Sequence, residues 1–240
     1  MRLYFIRHAQ SENNASEERI GSDLGRSEDP ALTPVGVQQT RILADFLAQN
    51  GHRAAQPSNR FAHKWSIQIT HLYSSLMERS LTTGAAISKT TGIPLHGWPD
   101  LHETGGIYLK DEASGKRVGL PGKTPIFLQT CYPGLILPPD VNPNGWWNRP
   151  YETYEEIMPR AHRVIQRLRD EYAGTDNHVA VVSHGGFFNF FICALLGIEE
   201  SGDIWFLMNN AAITCIDFQS DRVRVVYTNR FDFLPPELVT

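Results

Sequence analysis

The chain opens with Arg2-Leu3-Tyr4-Phe5-Ile6-Arg7-His8-Ala9-Gln10-Ser11-Glu12-Asn13-Asn14, and the change of character inside this stretch decides the fold. Residues 2–6 are apolar almost without interruption. That is the pattern of a strand covered on both faces in a parallel sheet, where a half-exposed strand would alternate. The run then stops at a guanidinium and an imidazole, Arg7-His8, followed by small, hydroxyl and amide side chains. In an open α/β sheet, ligands bind in the crevice beyond the carboxyl ends of the strands. Arg7 and His8 are therefore placed where chemistry is done.

The remainder of the chain supplies the other layers. The polar, acidic stretch 11–29 is expected to contain no core element. Thr33-Pro34 sets an N-cap and an N1 proline before Val35, Ile42, Leu43, Phe46 and Leu47, an amphipathic helix closed at Asn50-Gly51. A polar loop is expected over 52–66, a strand within 67–74 and a helix over 78–90. An amphipathic helix follows over 153–172, with Pro159 in its first turns. Then come a strand over 178–183 and a buried helix over 187–196, ended by Gly197. The strand-like runs 212–218 and 222–227 join across Ser220-Asp221 as a hairpin. Strands alternating with helices predict an α/β fold, a three-layer sandwich with a mostly parallel central sheet.

Residues 104–150 break this pattern. Seven of the fifteen prolines lie between Pro121 and Pro150, beside Phe127, Tyr132, Trp146 and Trp147. The segment is too aromatic for a disordered linker and reads as an ordered lid or cap inserted into a single domain spanning 1–240. Trp146 and Trp147 have two readings: packing of the segment on the core, or cover over a ring-bearing leaving group. Lys110, Lys116, Arg117 and Lys123 would meet further negative charge.

Composition excludes several classes of protein. With 22 Lys+Arg against 26 Asp+Glu, the 240-residue chain carries a net charge of −4 and has no broad basic face, so neither nucleic acid nor an anionic membrane is expected as a partner. The three cysteines, Cys131, Cys193 and Cys215, are dispersed and suggest neither a disulfide framework nor a zinc knuckle. No apolar run approaches the roughly 18–20 residues of a membrane span. A reduced, cytoplasmic protein is expected. No segment specifies an oligomeric state, although the strand-like 222–227 run would make a sheet edge.

Two further segments carry site residues. Ser183-His184-Gly185-Gly186 lies between a strand and a helix, so His184 can share a pocket with His8 and the helix offers a positive N-terminus. Arg79, in Ser75-Leu76-Met77-Glu78-Arg79-Ser80, follows another strand onto the same rim. Arg7 and Arg79 supply planar forks of donors matched to a phosphate. Glu103, after Leu101-His102, is the candidate proton donor, with Glu12 and Glu28 as alternatives. Gly122-Lys123-Thr124 fails as a phosphate-binding loop because the required first glycine falls on Arg117. Ser183 fails as a hydrolase nucleophile elbow because glycine is missing at Val181.

In their order, these motifs resemble the histidine phosphatase superfamily, the phosphoglycerate mutase-like fold. Residues 7–14 are similar to its Arg-His-Gly-x-Thr-x-x-Asn motif, with Ala9 for Gly and Ser11 for Thr. Residues 32–39 resemble its Leu-Thr-x-x-Gly-x-x-Gln helix start. Residues 75–83 resemble Ser-x-Leu-x-Arg-Ala-x-x-Thr, with Leu76-Met77 and Ser80 as departures. Residues 101–103 and 181–186 resemble the segments of the acidic donor and the second histidine. The resemblance implies a phosphomonoester hydrolase without metal or cofactor, acting on a small phosphate ester. His8 would be the nucleophile, and Arg7, Arg79 and His184 would surround the transferred phosphoryl group. Ser11, Asn14 and the Gly185 backbone would add donors, and Glu103 would act as acid and then base. A phosphoglycerate mutase-type transferase is the alternative, although residues 15–32 lack the Gly-Trp-x-Asp run of that branch. A catalytically dead phospho-ligand binding module is disfavoured because His8, Arg79, Glu103 and His184 are all present.

Overall fold

The computed structural model describes residues 1–20, 25–53, 67–198, 203–219 and 222–240. In it the opening stretch forms β1 (Arg2–Arg7), with Leu3, Tyr4, Phe5 and Ile6 all buried. Nine strands and six α-helices follow one another as α1 (Glu12–Ile20), α2 (Pro34–Arg53), β2 (His71–Ser74), α3 (Glu78–Thr91), β3 (Leu95–Gly97), β4 (Tyr108–Lys110), β5 (Arg117–Gly119), α4 (Pro125–Cys131), β6 (Leu135–Ile136), α5 (Tyr154–Tyr172), β7 (His178–Ser183), α6 (Gly185–Leu196), β8 (Ile213–Phe218) and β9 (Val223–Arg230) among the described residues. Seven strands form one sheet in the order β6-β3-β2-β7-β1-β8-β9. The pairs from β6 to β1 are parallel, and β8 and β9 complete the sheet antiparallel.

Side-chain alternation along β1 sorts the core into two layers. Tyr4 and Ile6 join Leu43 and Leu47 of α2 and Leu81 and Ile87 of α3. Leu3 and Phe5 join Ile157, Val164 and Leu168 of α5 and Phe187, Phe188 and Phe191 of α6. Both faces of β1 are thus covered by helices, which is why its four central residues, 3–6, are all apolar. The outcome is the expected three-layer α/β sandwich with a mostly parallel sheet.

Local signals set most of the helix ends. Thr33 caps α2, its Oγ accepting from the Gly36 N–H at 3.0 Å. A capping box of Thr153 and Glu156 starts α5, which carries Pro159 inside it. Gly92 and Gly197, both left-handed, close α3 and α6. Several elements differ from the sequence expectation, α6 among them, which begins at Gly185. The stretch 11–29 contains α1, a polar helix with no apolar face to betray it. Helix α2 runs through Asn50-Gly51 to Arg53, because one glycine costs a helix only about 1 kcal/mol. The last strand begins at Val223 and extends to Arg230. The loop expected over 52–66 lies largely outside the described residues, as do Ser220 and Asp221 of the hairpin turn.

Residues 104–150 contain the β4–β5 hairpin, α4 and β6, and β6 joins the edge of the main sheet beside β3. The segment is therefore tied to the core at both ends. Trp146 and Trp147 are buried in the core, at 6% and 4% exposure, and a Cβ on Gly106 would lie 2.0 Å from the Trp147 ring.

The site depends on how β3, β2, β7 and β1 end side by side. Their backbone pairing continues past the strands: His8 N–H donates to Ser183 O at 2.9 Å, Ser75 N–H to Val182 O at 3.0 Å and Trp98 N–H to Ser74 O at 2.7 Å. Helix α2 supports the loop after β1 from below. Gln39 Oε1 accepts from the Gln10 N–H at 2.7 Å. A Cβ on Gly36 would lie 2.1 Å from the Gln10 carbonyl oxygen. Gly36→Ala is therefore expected to destabilise the protein by about 1–3 kcal/mol through overpacking. A lowered urea midpoint at unchanged m-value would show this; an unshifted midpoint would mean that the loop yields freely.

Candidate active site

His8 sits at the end of β1, 2% exposed. Its Nδ1 lies 2.7 Å from the Ala9 carbonyl oxygen, and its Nε2 lies 3.1 Å from Arg79 Nε. A carbonyl can only accept and a guanidinium can only donate. The ring is therefore neutral, protonated at Nδ1, with its lone pair at Nε2. Burial, and then the charges of Arg79 and Arg7, push its pKa well below the ordinary imidazole value.

His184 faces His8 with ring centroids 5.0 Å apart. Its Nε2 lies 2.9 Å from Ser75 Oγ and 3.2 Å from Ser80 Oγ. Its buried Nδ1 has no hydrogen-bond partner. Burial and the Arg79 charge hold this ring neutral as well. When a serine hydroxyl donates to Nε2, Nδ1 carries the proton and becomes a donor for an oxyanion.

Arg79 is buried at 5% exposure, and burial lowers its pKa to about 10, so it remains a cation. Its Nη2 donates to Met77 Sδ at 3.2 Å, and its Nη1, 3.9 Å from Asp29 Oδ1, has no hydrogen-bond acceptor. Arg7 donates through Nη1 to the Met208 carbonyl at 2.5 Å, while its buried Nε has no acceptor. Two guanidinium groups and two neutral imidazoles thus surround a space with donors to spare and no carboxylate at its centre. This electrostatics suits a phosphoryl group.

Glu103 stands where the sequence placed the proton donor. Its carboxylate accepts from the Thr104 N–H at 2.8 Å, the Phe187 N–H at 2.8 Å and the Gly186 N–H at 3.1 Å. It therefore occupies the first turn of α6, where the helix N-terminus favours negative charge. Gly185, whose N–H the resemblance offers to the ligand, is the first residue of the same helix. The glycine pair serves the neighbouring side chains: a Cβ on Gly185 would lie 3.2 Å from Arg7 Nε, and one on Gly186 would lie 2.5 Å from Glu103 Oε1.

Asn14 and Ser11, the two further candidate phosphate contacts, are bonded to each other. Asn14 Oδ1 accepts from Ser11 Oγ at 2.9 Å, Ser11 N–H at 3.1 Å and Asn210 Nδ2 at 3.2 Å. These contacts occupy the oxygen of the Asn14 amide, and Ser11 orients it. Of the alternative donors, Glu12 opens α1 and Glu28 precedes Asp29; Glu103 is the carboxylate joined to the second-histidine loop. A cleft of about 280 Å³ opens beside Arg7, Asn14 and Asn210.

Several participants carried no sequence signal, and Lys123, expected to meet a substrate's charge, pairs with carboxylates of the protein instead. Asn210 donates to the His8 carbonyl at 3.0 Å. Asp29 Oδ1 accepts from the Glu78 N–H at 2.9 Å, and Lys123 pairs with Asp29 and Glu78. Beneath Glu103, Arg160 grips Glu152 through Nε and Nη2 at 2.6 and 2.8 Å, and donates through Nη1 to the carbonyls of Asp100 and His102. Ser75 and Ser80 lay inside the Arg79 motif, but the sequence assigned them no role; the structure bonds both to His184. Trp146 and Trp147 pack on each other and on His102, so the aromatic cover expected from them is not formed by these rings.

Comparison with known proteins finds relatives in sequence and in fold. The family model described as the histidine phosphatase superfamily (branch 1) matches residues 3–112 and 122–230. A Hydrogenobacter thermophilus protein named "Putative phosphoserine phosphatase 2" is 29% identical over 233 residues, covering 95% of each chain. The glucosyl-3-phosphoglycerate phosphatase of Mycolicibacterium vanbaalenii is 27% identical over 202 residues, 82% of this chain and 75% of that one. The solved structure of a mycobacterial glucosyl-3-phosphoglycerate phosphatase with VO3 shares the fold, with a TM-score of 0.61 at 20% identity, over 96% of this chain and 99% of that one.

The pKa direction at His8 has a measurable consequence. A free imidazole is half protonated near pH 6.5; His8, whose pKa lies lower, is expected to remain neutral at that pH. Nitrogen-15 NMR of the imidazoles at pH 6.5 should find His8 protonated at Nδ1 and bare at Nε2. A doubly protonated His8 signal would overturn the assignment.

Proposed function

The chain belongs to the histidine phosphatase superfamily (branch 1) and is a phosphatase of that family, and from this premise we propose that it hydrolyses small phosphomonoesters through a phosphohistidine at His8. The observation that carries this reading is the tautomer of His8: a neutral ring whose lone pair at Nε2 faces Arg79. As the ester enters, its phosphoryl oxygens take the Arg79 donor and free that lone pair for attack. The Nε2–P bond forms while the P–O bond to the alcohol breaks, and protonated Glu103 gives its proton to the departing oxygen. Arg7, Arg79, His184, Asn14 and the Gly185 N–H hold the equatorial oxygens, so little reorganisation is needed as charge moves. Water then loses a proton to Glu103 and attacks phosphorus, and the electron pair returns to Nε2.

The named relatives suggest the range of esters. Phosphoserine and glucosyl-3-phosphoglycerate are phosphomonoesters of small polar alcohols that also bear a carboxylate. Residues 104–150 act in this reading as the cap over the site, anchored by the pairing of Lys123 with Glu78 and Asp29 beside Arg79. Nothing in the site favours return of the phosphoryl group to a sugar acid over its transfer to water.

Two experiments test the chemistry. His8→Ala should abolish phosphate release, and rapid quenching of the wild-type enzyme should trap an acid-labile, base-stable phosphoryl group on His8; full activity in His8→Ala would sink the reading. Glu103→Gln should slow phosphorylation by alkyl phosphates by about 10²–10⁴-fold, the usual worth of a general acid, and by nitrophenyl phosphate far less. Equal losses on both substrates in pre-steady-state kinetics would move the proton elsewhere.

A further inference from the structure

Arg26 lies in the segment between α1 and α2 and is used by none of the steps above. Its guanidinium carbon stands 4.4 Å from the centroid of the Tyr108 ring, which attaches it to the first strand of the 104–150 segment. Its Nε is buried without an acceptor. Its charge acts on Arg79 in the same sense as that of Arg7, so three guanidinium groups share one neighbourhood. The carboxylates nearby are committed, Asp29 to the Glu78 N–H and Lys123, and Glu103 to the amides of α6.

The position of Tyr108 shows which side of the site Arg26 borders. A Cβ on Gly105 would lie 2.7 Å from Tyr108 Cε1, so the ring under Arg26 packs against the loop Glu103-Thr104-Gly105. A group that protonates the leaving oxygen has the alcohol on its own side. Arg26 therefore borders the path of the alcohol, while Arg7, Arg79 and His184 face the phosphoryl group.

We infer that Arg26 is a specificity-determining residue that binds a carboxylate on the alcohol portion of the phosphomonoester. This rests on the reading of His8 and Glu103 given above. The planar fork of an arginine matches a carboxylate through two parallel hydrogen bonds. The aromatic ring beneath holds the guanidinium plane, so little ordering is left to the moment of binding. One dianionic phosphoryl group is already met by Arg7 and Arg79; the third guanidinium suits a substrate with a second negative group.

Two matched pairs of esters test this with the full chain: O-phosphoserine against phosphoethanolamine, and 3-phosphoglycerate against glycerol 3-phosphate. The members of each pair differ by the carboxylate. The wild-type enzyme should favour the carboxylate-bearing member by about 10–100-fold in kcat/KM, the worth of a charged hydrogen-bond pair. In Arg26→Met that ratio should fall toward one, through a raised KM for the carboxylate-bearing member. Arg26→Lys, which keeps the charge and the stem but loses the fork, should give an intermediate ratio, and it carries the comparison if Arg26→Met does not fold. Equal slowing of both members in either variant would assign Arg26 to the phosphoryl group and overturn the inference, as would a wild-type ratio near one. Failure of the underlying reading looks different: no ester of either pair would be hydrolysed and His8 would not be phosphorylated.

Discussion

The Nδ1–H of His8 donates to the carbonyl of the adjoining Ala9, and the chemistry available to this protein depends on that 2.7 Å contact. An imidazole free to exchange tautomers would present a proton at Nε2 part of the time and no nucleophile there. The Ala9 carbonyl must be held in place for the bond to persist, and much of the surrounding structure does so. Thr33 and Gln39 bond to the backbone of Gln10 at 3.0 and 2.7 Å. The Gln39 amide reaches on to the Leu238 carbonyl at 2.8 Å and Thr240 at 2.9 Å. On the other side, Asn210 and the N–H of Ala211 donate to the His8 carbonyl at 3.0 and 3.2 Å. Ala211 is held at a positive φ of 59° to do this, a backbone strain of the kind retained at functional sites.

The same economy of donors and acceptors orders the rest of the pocket. Every hydrogen bond that the site residues make within the protein withdraws one of their groups from the ligand, and what remains is a set of donors. Asn14 spends its oxygen on Ser11 and Asn210, so its NH2 is left over. His184 spends Nε2 on two serines, so Nδ1 is left over. Glu103 takes the amides of Gly186 and Phe187, and so competes with no donor of the phosphoryl site. An anion is the complement of such a set. The positions where the chain departs from its family's motifs take part in this: Met77 accepts from Arg79, and Ser80 contacts His184.

Glu103 depends on a second, fully buried layer. The Arg160–Glu152 pair is removed from water, and it holds the backbone on both sides of Glu103 through Asp100, His102 and Gly105. A buried pair of this kind contributes little net stability, and breaking it is costly. Its recognisable effect here is geometric. It fixes the loop against α6, while Arg149 and Trp147 fix the neighbouring His102 ring. The 104–150 segment thus supports, through Arg149 and Trp147, the residue that precedes Glu103.

Much of this was determined by the sequence alone. The apolar 3–6 run, the cap at Thr33 and the glycine at 197 are local signals, because strand burial, capping and left-handed turns are decided within a few residues. The positions of Arg7, His8, Arg79, Glu103 and His184 were legible too, because each directly follows a strand or lies in a short motif whose spacing carries it to the sheet's edge. The helix at 12–20 was not, since a helix polar on all sides has no periodic apolar face. Tertiary structure alone decided which donor each group meets. That Asn210 holds the His8 carbonyl, that Ser11 orients Asn14, and that Gly185 and Gly186 make room for Arg7 and Glu103 follow from chain segments far apart in sequence. So does the burial of Trp146 and Trp147, whose composition was equally compatible with cover over a substrate. Hydrogen-bond partnership across the sheet's edge is a matter of three-dimensional proximity to within a few tenths of an ångström, and no spacing along the chain encodes it.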